Sequence, residues 1–369
     1  MRTLGTIIAV CLAVVFSCGV ACAACSSDGW CEDNPNTSDD IYAIWGTDAE
    51  NVYATAIDLD WGDSRILHYD GSSWTTVETA PDSDLTGIWG SNAGNIYAVG
   101  ADWFSWQAKI LHFDGSSWTS VPTGLQGQLH GIWGSSANDI YAVGQNWITQ
   151  QDVILHYDGT GWTSSTFGIR GPLFAVWGSG PDDVYVVGTE WDTNDVKIFH
   201  YTGTGWQQMS LDLEGELWGV WGSGPNNVFA VGINRTTDEA IILRCNGVYW
   251  TLMDDGGEPG LWGVGGTDAN NVFAAGDDGS IQYCDGTSWS PMSSPTEESL
   301  NCIWFADADN AFAGGDTGTL LYRGESPPDP DPPPPSGCGS FGLLLPFGTV
   351  VIAGTGKLRR RLRGKSAVR

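Results

Sequence analysis

LTGIWGSNAGNIYAVGADWFSWQAKILHFDGSSWTS, residues 85–120, returns 44 positions later as LHGIWGSSANDIYAVGQNWITQQDVILHYDGTGWTS, residues 129–164. Each copy holds four short stretches of apolar alternation, cut apart by Gly, Asp, Asn and Ser. A period of two between turn residues reads as β-strand. Four strands in a unit of this length make one blade of a β-propeller.

The unit extends in both directions. Its Trp-Gly pair stands at Trp45, Trp89, Trp133, Trp177 and Trp221, each 44 residues apart. Gly265 keeps the phase without the tryptophan, and Trp304 follows 39 residues on. A second tryptophan recurs at Trp74, Trp118, Trp162, Trp206, Trp250 and Trp289, each 15 residues before the next Trp-Gly site. The seventh unit stops at Tyr322-Arg323-Gly324 without a fourth strand. Trp30 lies 15 residues before Trp45 and is an orphan fourth strand. Placed beside Tyr322, it closes the ring and leaves no free sheet edge. The expected fold is all-β: a seven-bladed propeller over residues 26–324, its N-terminal strand completing the last blade.

Repetition also sorts the polar residues. His68, His112, His156 and His200 occupy one slot in successive blades. A catalytic histidine needs one geometry, so these are expected to bond within their blades. The Asp-Gly after them is hairpin-turn chemistry. The tryptophans are expected to pack between neighbouring blades. Cys245 and Cys284 share a slot in adjacent blades and point the same way round the ring, which argues against their pairing.

Variation between blades marks the candidate site. Blades 1 to 5 carry five extra residues between their second and third strands, where blades 6 and 7 have tight turns at residues 276–279 and 315–318. The insertions present Trp61, Trp103, Trp147, Trp191 and Arg235, beside Asp58, Asp60, Asp102, Asn146, Asp192 and Asn194. A second variable position, near the start of each innermost strand, holds Tyr42, Thr86, His130, Phe174, Trp218, Trp262 and Asn301. Both sets are expected on one face, around the mouth of the central channel. Aromatic faces beside carboxylates and amides suit sugar rings, and they equally suit protein hot spots. The other reading is local packing, with the loop tryptophans folded back over the blades. A glycan is the first expectation for the ligand, with a surface protein or a purely architectural role as alternatives. An enzyme acting on glycans would need an unrepeated acid/base pair, and His130 is the only unrepeated histidine. No catalytic residue is assigned, and no cofactor is expected. Asp182-Asp183 and their equivalents offer only a weak calcium site.

Charge narrows the partners. All 44 acidic residues lie between Asp28 and Asp331 with only seven basic ones, so this stretch carries about −37. Such a surface repels phosphate backbones, which excludes nucleic acid and anionic lipid. The chain is expected to be a monomer that meets a membrane only through its terminal segments.

The ends read as addresses. Residues 1–23 have the basic start, apolar run and small-residue end of a secretory signal peptide. Lipidation at Cys18, Cys22 or Cys25 is the alternative to simple cleavage. Residues 325–337 hold the Pro-rich spacer SPPDPDPPPPS, and residues 338–369 an apolar run and a basic end. The Gly337-Cys338-Gly339 motif, the short apolar stretch and the Arg cluster resemble the Cys-containing C-terminal sorting signals of Gram-negative bacteria, of the type found in myxobacteria. That resemblance implies processing at Cys338 and attachment at the cell surface. An ordinary C-terminal membrane anchor is the alternative. The repeat resembles the secreted Trp-Gly repeat propellers of the same bacteria, and its Asp70-Gly71 to Trp74 segment is similar in part to the Asp-box turn. A more distant similarity is to tectonin-type lectin propellers. These resemblances imply an exported binding protein rather than an enzyme.

Overall fold

Alternation of small and branched apolar residues lets the second strand of each blade bury both faces. In Asn51–Asp58 and its counterparts every residue between the two ends is buried. Such a strand needs a neighbour on either side in its sheet and a packed layer above and below, which a propeller supplies. The computed structural model describes residues 25–33, 35–60, 62–253 and 257–324. It contains seven four-stranded antiparallel sheets. Blades 1 to 6 cover residues 40–80, 83–120, 127–165, 173–208, 216–252 and 261–292. Blade 7 joins three strands within residues 300–323 to the N-terminal strand Trp30–Asp33. The first strand of each blade packs against the first strand of the next, and that of blade 7 meets that of blade 1. The leader, the Pro-rich spacer and the sorting segment with Cys338 lie outside the described residues.

Closure follows the tryptophan phase. Trp30 pairs with Arg323, Cys31 with Tyr322, Glu32 with Leu321 and Asp33 with Leu320. The Trp30 ring is 0% exposed, in a cluster with Phe273, Leu300 and Ile303. A disulfide joins Cys25, just ahead of this strand, to Cys31 within it. Asp33 accepts the indole N–H of Trp74 at 2.9 Å, tying the closing strand to blade 1.

The Trp-Gly pair is the seam between blades. A Cβ on Gly90 would sit 2.5 Å from the Trp45 ring, and one on Gly178 2.7 Å from Trp133. Each tryptophan lies on the glycine of the following blade, and only glycine leaves room for it. The same contact joins Trp89 to Gly134, Trp177 to Gly222, Trp221 to Gly266 and Trp304 to Gly46. The exception is self-consistent. Blade 6 has Gly265 where the others have tryptophan, and blade 7 has Phe305 where the others have the seam glycine. Phe305 fills that space and meets Phe273 at 4.7 Å. The second tryptophans point the other way, edge-on to the preceding blade: Trp162 on Tyr97, Trp206 on Tyr141, Trp250 on Tyr185 and Trp289 on Phe229.

The repeated histidines are structural. Each places Nε2 2.6–2.7 Å from the first residue of its blade's second strand: Asn51, Asn95, Asp139 and Asp183. Each also stacks on the tyrosine two residues further along that strand. Arg244, Tyr283 and Tyr322 take the slot in blades 5 to 7 and donate to Asn227, Asn271 and Asn310. Cys245 and Cys284 are buried free thiols.

Candidate functional site: an aromatic rim

The loops between second and third strands share one end of the ring, here the upper rim, with the segments that lead into each blade. Backbone bonds fix them together: Trp103 N–H to Asp82 O, Trp147 N–H to Gln126 O and Trp191 N–H to Arg170 O. The short turns of blades 6 and 7 do the same, Asp277 N–H to Gly260 O and Asp316 N–H to Ser299 O.

The second variable position has a structural cause. In every blade the register between first and second strands slips by one residue near the rim. The residue left unpaired in these bulges is Tyr42, Thr86, His130, Phe174, Trp218, Trp262 or Asn301. A bulge takes a side chain out of the ladder and re-aims it. In four consecutive blades these side chains meet. His130 lies 5.3 Å from Phe174, Phe174 stacks on Trp218 at 3.7 Å, and Trp218 meets Trp262 edge-on at 5.2 Å. In blades 2 and 7 the bulged residue bonds to the next blade's backbone. Thr86 donates to Leu129 O at 3.0 Å, and Asn301 to Ile41 O at 3.1 Å.

Carboxylates hold the rings in place. Glu216 accepts the Trp218 indole N–H at 3.1 Å and the Arg235 Nε–H at 2.9 Å. The Arg235 guanidinium lies over both Trp218 and Trp262, 5.9 and 5.3 Å from their centroids. Asp277, in the short turn of blade 6, accepts the Trp262 indole N–H at 2.9 Å. The loop set and the mouth set therefore converge at blades 5 and 6.

A second cluster stands on blades 2 and 3. Trp103 stacks on Trp147 at 5.0 Å, and Trp106 sits edge-on to both at 6.2 and 5.6 Å. The Trp103 indole donates to Asp84, whose carboxyl burial pushes above the ordinary range. Trp103 is 37% exposed and Trp106 60%. The loop tryptophans thus pack on one another across two blades while keeping one side open to solvent. Trp106 was not among the sequence candidates. It has φ +58°, a left-handed conformation that Gln150, Asn194 and Asp238 share at the same point in the following blades. A bulky residue there is strained, by about 1–2 kcal/mol. Blade 1 has Gly62 at that point and the following blades have polar residues, so nothing in the repeat phase flags a ring there.

Trp191 is 44% exposed and meets no other ring among the described residues. Arg170 beside it bridges Asp192 at 2.6 Å and Gln150 at 2.7 Å, linking the loops of blades 3 and 4. Trp61 lies outside the described residues. Among the described residues His130 has no carboxylate partner, and burial pushes its pKa down to about 4, so it is neutral at pH 7. Asp183 spends its oxygens on His200 and Ser179, and no group of three metal-ligating side chains occurs among the described residues.

No protein-family model matches the sequence, and no curated protein does. Solved structures do. A structure of YCF48 bound to D1 peptide is similar with TM-score 0.62 and 15% identity, over 82% of this chain and 99% of that one. The YCF48 of Cyanidioschyzon merolae gives 0.61 and 14%, over 80% and 99%. The WD40 propeller domain of Doa1 gives 0.59 and 9%, over 79% and 94%. At such identities the likeness is one of fold.

Proposed function

We propose that this chain is a binding propeller that captures a protein segment on its aromatic upper rim. The observation that carries this reading is the continuous arc from His130 through Phe174 and Trp218 to Trp262, completed by Arg235. Its indole N–H groups are already spent on Glu216 and Asp277, so the rings are held before any ligand arrives. Preorganised aromatic and arginine side chains are the usual anchors of protein interfaces. The faces that a sugar ring would stack on are largely used internally, Phe174 on Trp218 and Trp103 on Trp147. That favours a protein partner over the glycan first expected. The YCF48 structure with its peptide supports the reading by likeness of fold alone. A neutral His130 without an acidic partner supports a binding role over a catalytic one.

The carboxylates of Glu216 and Asp277 lie within the arc, with Arg235 as the neighbouring cation. A segment rich in Lys or Arg complements that charge. We also propose export and surface display, on the strength of the leader and of the Cys338 segment. The Cys25–Cys31 disulfide accords with an oxidising compartment.

Panning the whole protein against random linear peptides, beside a glycan array, tests the reading. Basic peptides should bind, and Trp218→Ala with Trp262→Ala should remove the binding. Glycan capture without peptide capture would reverse the assignment.

A further inference from the structure

The lower end of the seam between blades 6 and 7 opens into a cleft of about 130 Å³. Phe273, Tyr283, Met292 and Phe305 wall it, and Asn271 and Arg323 give it polar groups. It stands at the one seam where Gly265 replaces the tryptophan and Phe305 the facing glycine.

Arg323 is the unusual member. The described residues include seven Lys and Arg, and five of them form ion pairs with carboxylates. Arg244 bonds to Asn227 and to the Gly286 carbonyl. The Arg323 side chain makes no hydrogen bond or ion pair among the described residues, and its guanidinium lies 5.2 Å over the Phe273 ring. Asp28 is an acidic neighbour, but its carboxylate accepts the Ser293 N–H and O–H at 2.6 and 2.7 Å. Among the described residues, this half-buried guanidinium beside aromatic walls has no bonded counter-charge, in a protein with 44 acidic residues. Held by its face, it keeps its N–H edge for a bidentate acceptor.

We propose that this cleft binds a carboxylate on an apolar or aromatic carrier, with Arg323 as the counter-charge and the rings as the carrier's walls. The net charge of the protein disfavours small hydrated anions, so the apolar contacts select the ligand. A peptide C-terminus and a free aromatic acid share this chemistry. The site lies at the opposite end of the ring from the aromatic arc and stands or falls independently of it.

Calorimetric titration of the full chain with benzoate and with benzamide tests the charge requirement without altering the protein. Benzoate should bind at one site, and benzamide about 10- to 100-fold more weakly, the loss expected for a hydrogen bond to a charged group. Arg323→Gln should weaken benzoate by a similar factor while its thermal midpoint confirms that the ring still closes. Equal binding of the two probes, or benzoate affinity unchanged in Arg323→Gln, would overturn the proposal. So would benzoate binding that emerges only in Glu325→Gln, since the chain's own carboxylate would then be the occupant. N-acetylphenylalanine against its amide separates the sources. A tighter acid than benzoate points to a peptide terminus, and parity to a small free acid.

Discussion

The seams between blades and the upper rim are built from the same repeat, yet they treat variation in opposite ways. Along the seams, one departure demands another: Gly265 loses a tryptophan and Phe305 replaces the facing glycine. At the rim, neighbouring blades carry Thr86, His130, Phe174 and Trp218 at one bulge; the rings among them meet, with no reciprocal exchange of large for small. A close-packed interior couples its residues, whereas a bulge facing the channel mouth leaves each blade free to differ. Correlated change marks the scaffold, and uncoupled change marks the surface that meets a partner.

The contrast predicts large stability effects at the seams and small ones at the rim. Trp30→Ala, which removes a fully buried closing side chain, should cost about 3–5 kcal/mol in urea unfolding while the folded fraction still binds. A cost under 1 kcal/mol would mean that closure does not depend on it. Phe305→Gly should cost about 3 kcal/mol and Gly265→Trp about 1–3 kcal/mol through overcrowding. Combined, they should recover most of the loss, because the pair then matches the other six seams; simple additivity would break the comparison from that side. At the rim, joint replacement of Trp103, Trp147 and Trp191 by alanine should cost about 1–2 kcal/mol. Binding retained by that triple variant would confine the site to the arc. Trp106→Asn should gain up to about 1 kcal/mol by relieving the left-handed strain, with weaker binding as its cost. A destabilised variant would show that its ring contacts outweigh the backbone.

The smallest effect concerns pH. Ser or Thr hydroxyls and backbone N–H groups hold the hairpin carboxyls of Asp114, Asp158 and Asp285 down to about 2. A folded-state value below the unfolded one contributes stability that is present above the ordinary carboxylate pKa. It is lost as pH falls towards 2. Carboxyl NMR shifts should titrate near that point in all three turns, and midpoints near 4 would remove the turn bonds from the account.

The ring was legible because Trp and Gly are forced into phase by the seam, and Trp30 betrayed the closing strand by keeping that phase. The variable position near each inner strand was legible as variation. Its bulge was not, since a one-residue slip leaves no mark in residue type. Trp106 escaped because its slot holds Gly62 in blade 1 and polar residues in blades 3 to 5, which mark a left-handed turn and not an exposed ring. The Cys25–Cys31 bond escaped because Cys25 stands beside the expected leader, where its presence in the mature chain was open. The preference for glycan came from residue types alone. The stacking that occupies those rings depends on distances between blades.

Strand Trp30–Asp33 is made near the start of the chain and pairs with residues made near its end. During synthesis the first six blades can stack before their partner strand for the seventh exists. Until then Trp30 must wait, exposed, at the end of a ring that is still a horseshoe. The entropy of closing so long a loop grows only logarithmically, so the delay is a matter of order more than of cost. What the delay creates is a window in which a closing strand can find the horseshoe of another molecule. Crowded refolding should therefore yield strand-exchanged dimers, which dilution before refolding suppresses, and the Cys25–Cys31 loop stiffens the strand that would stray.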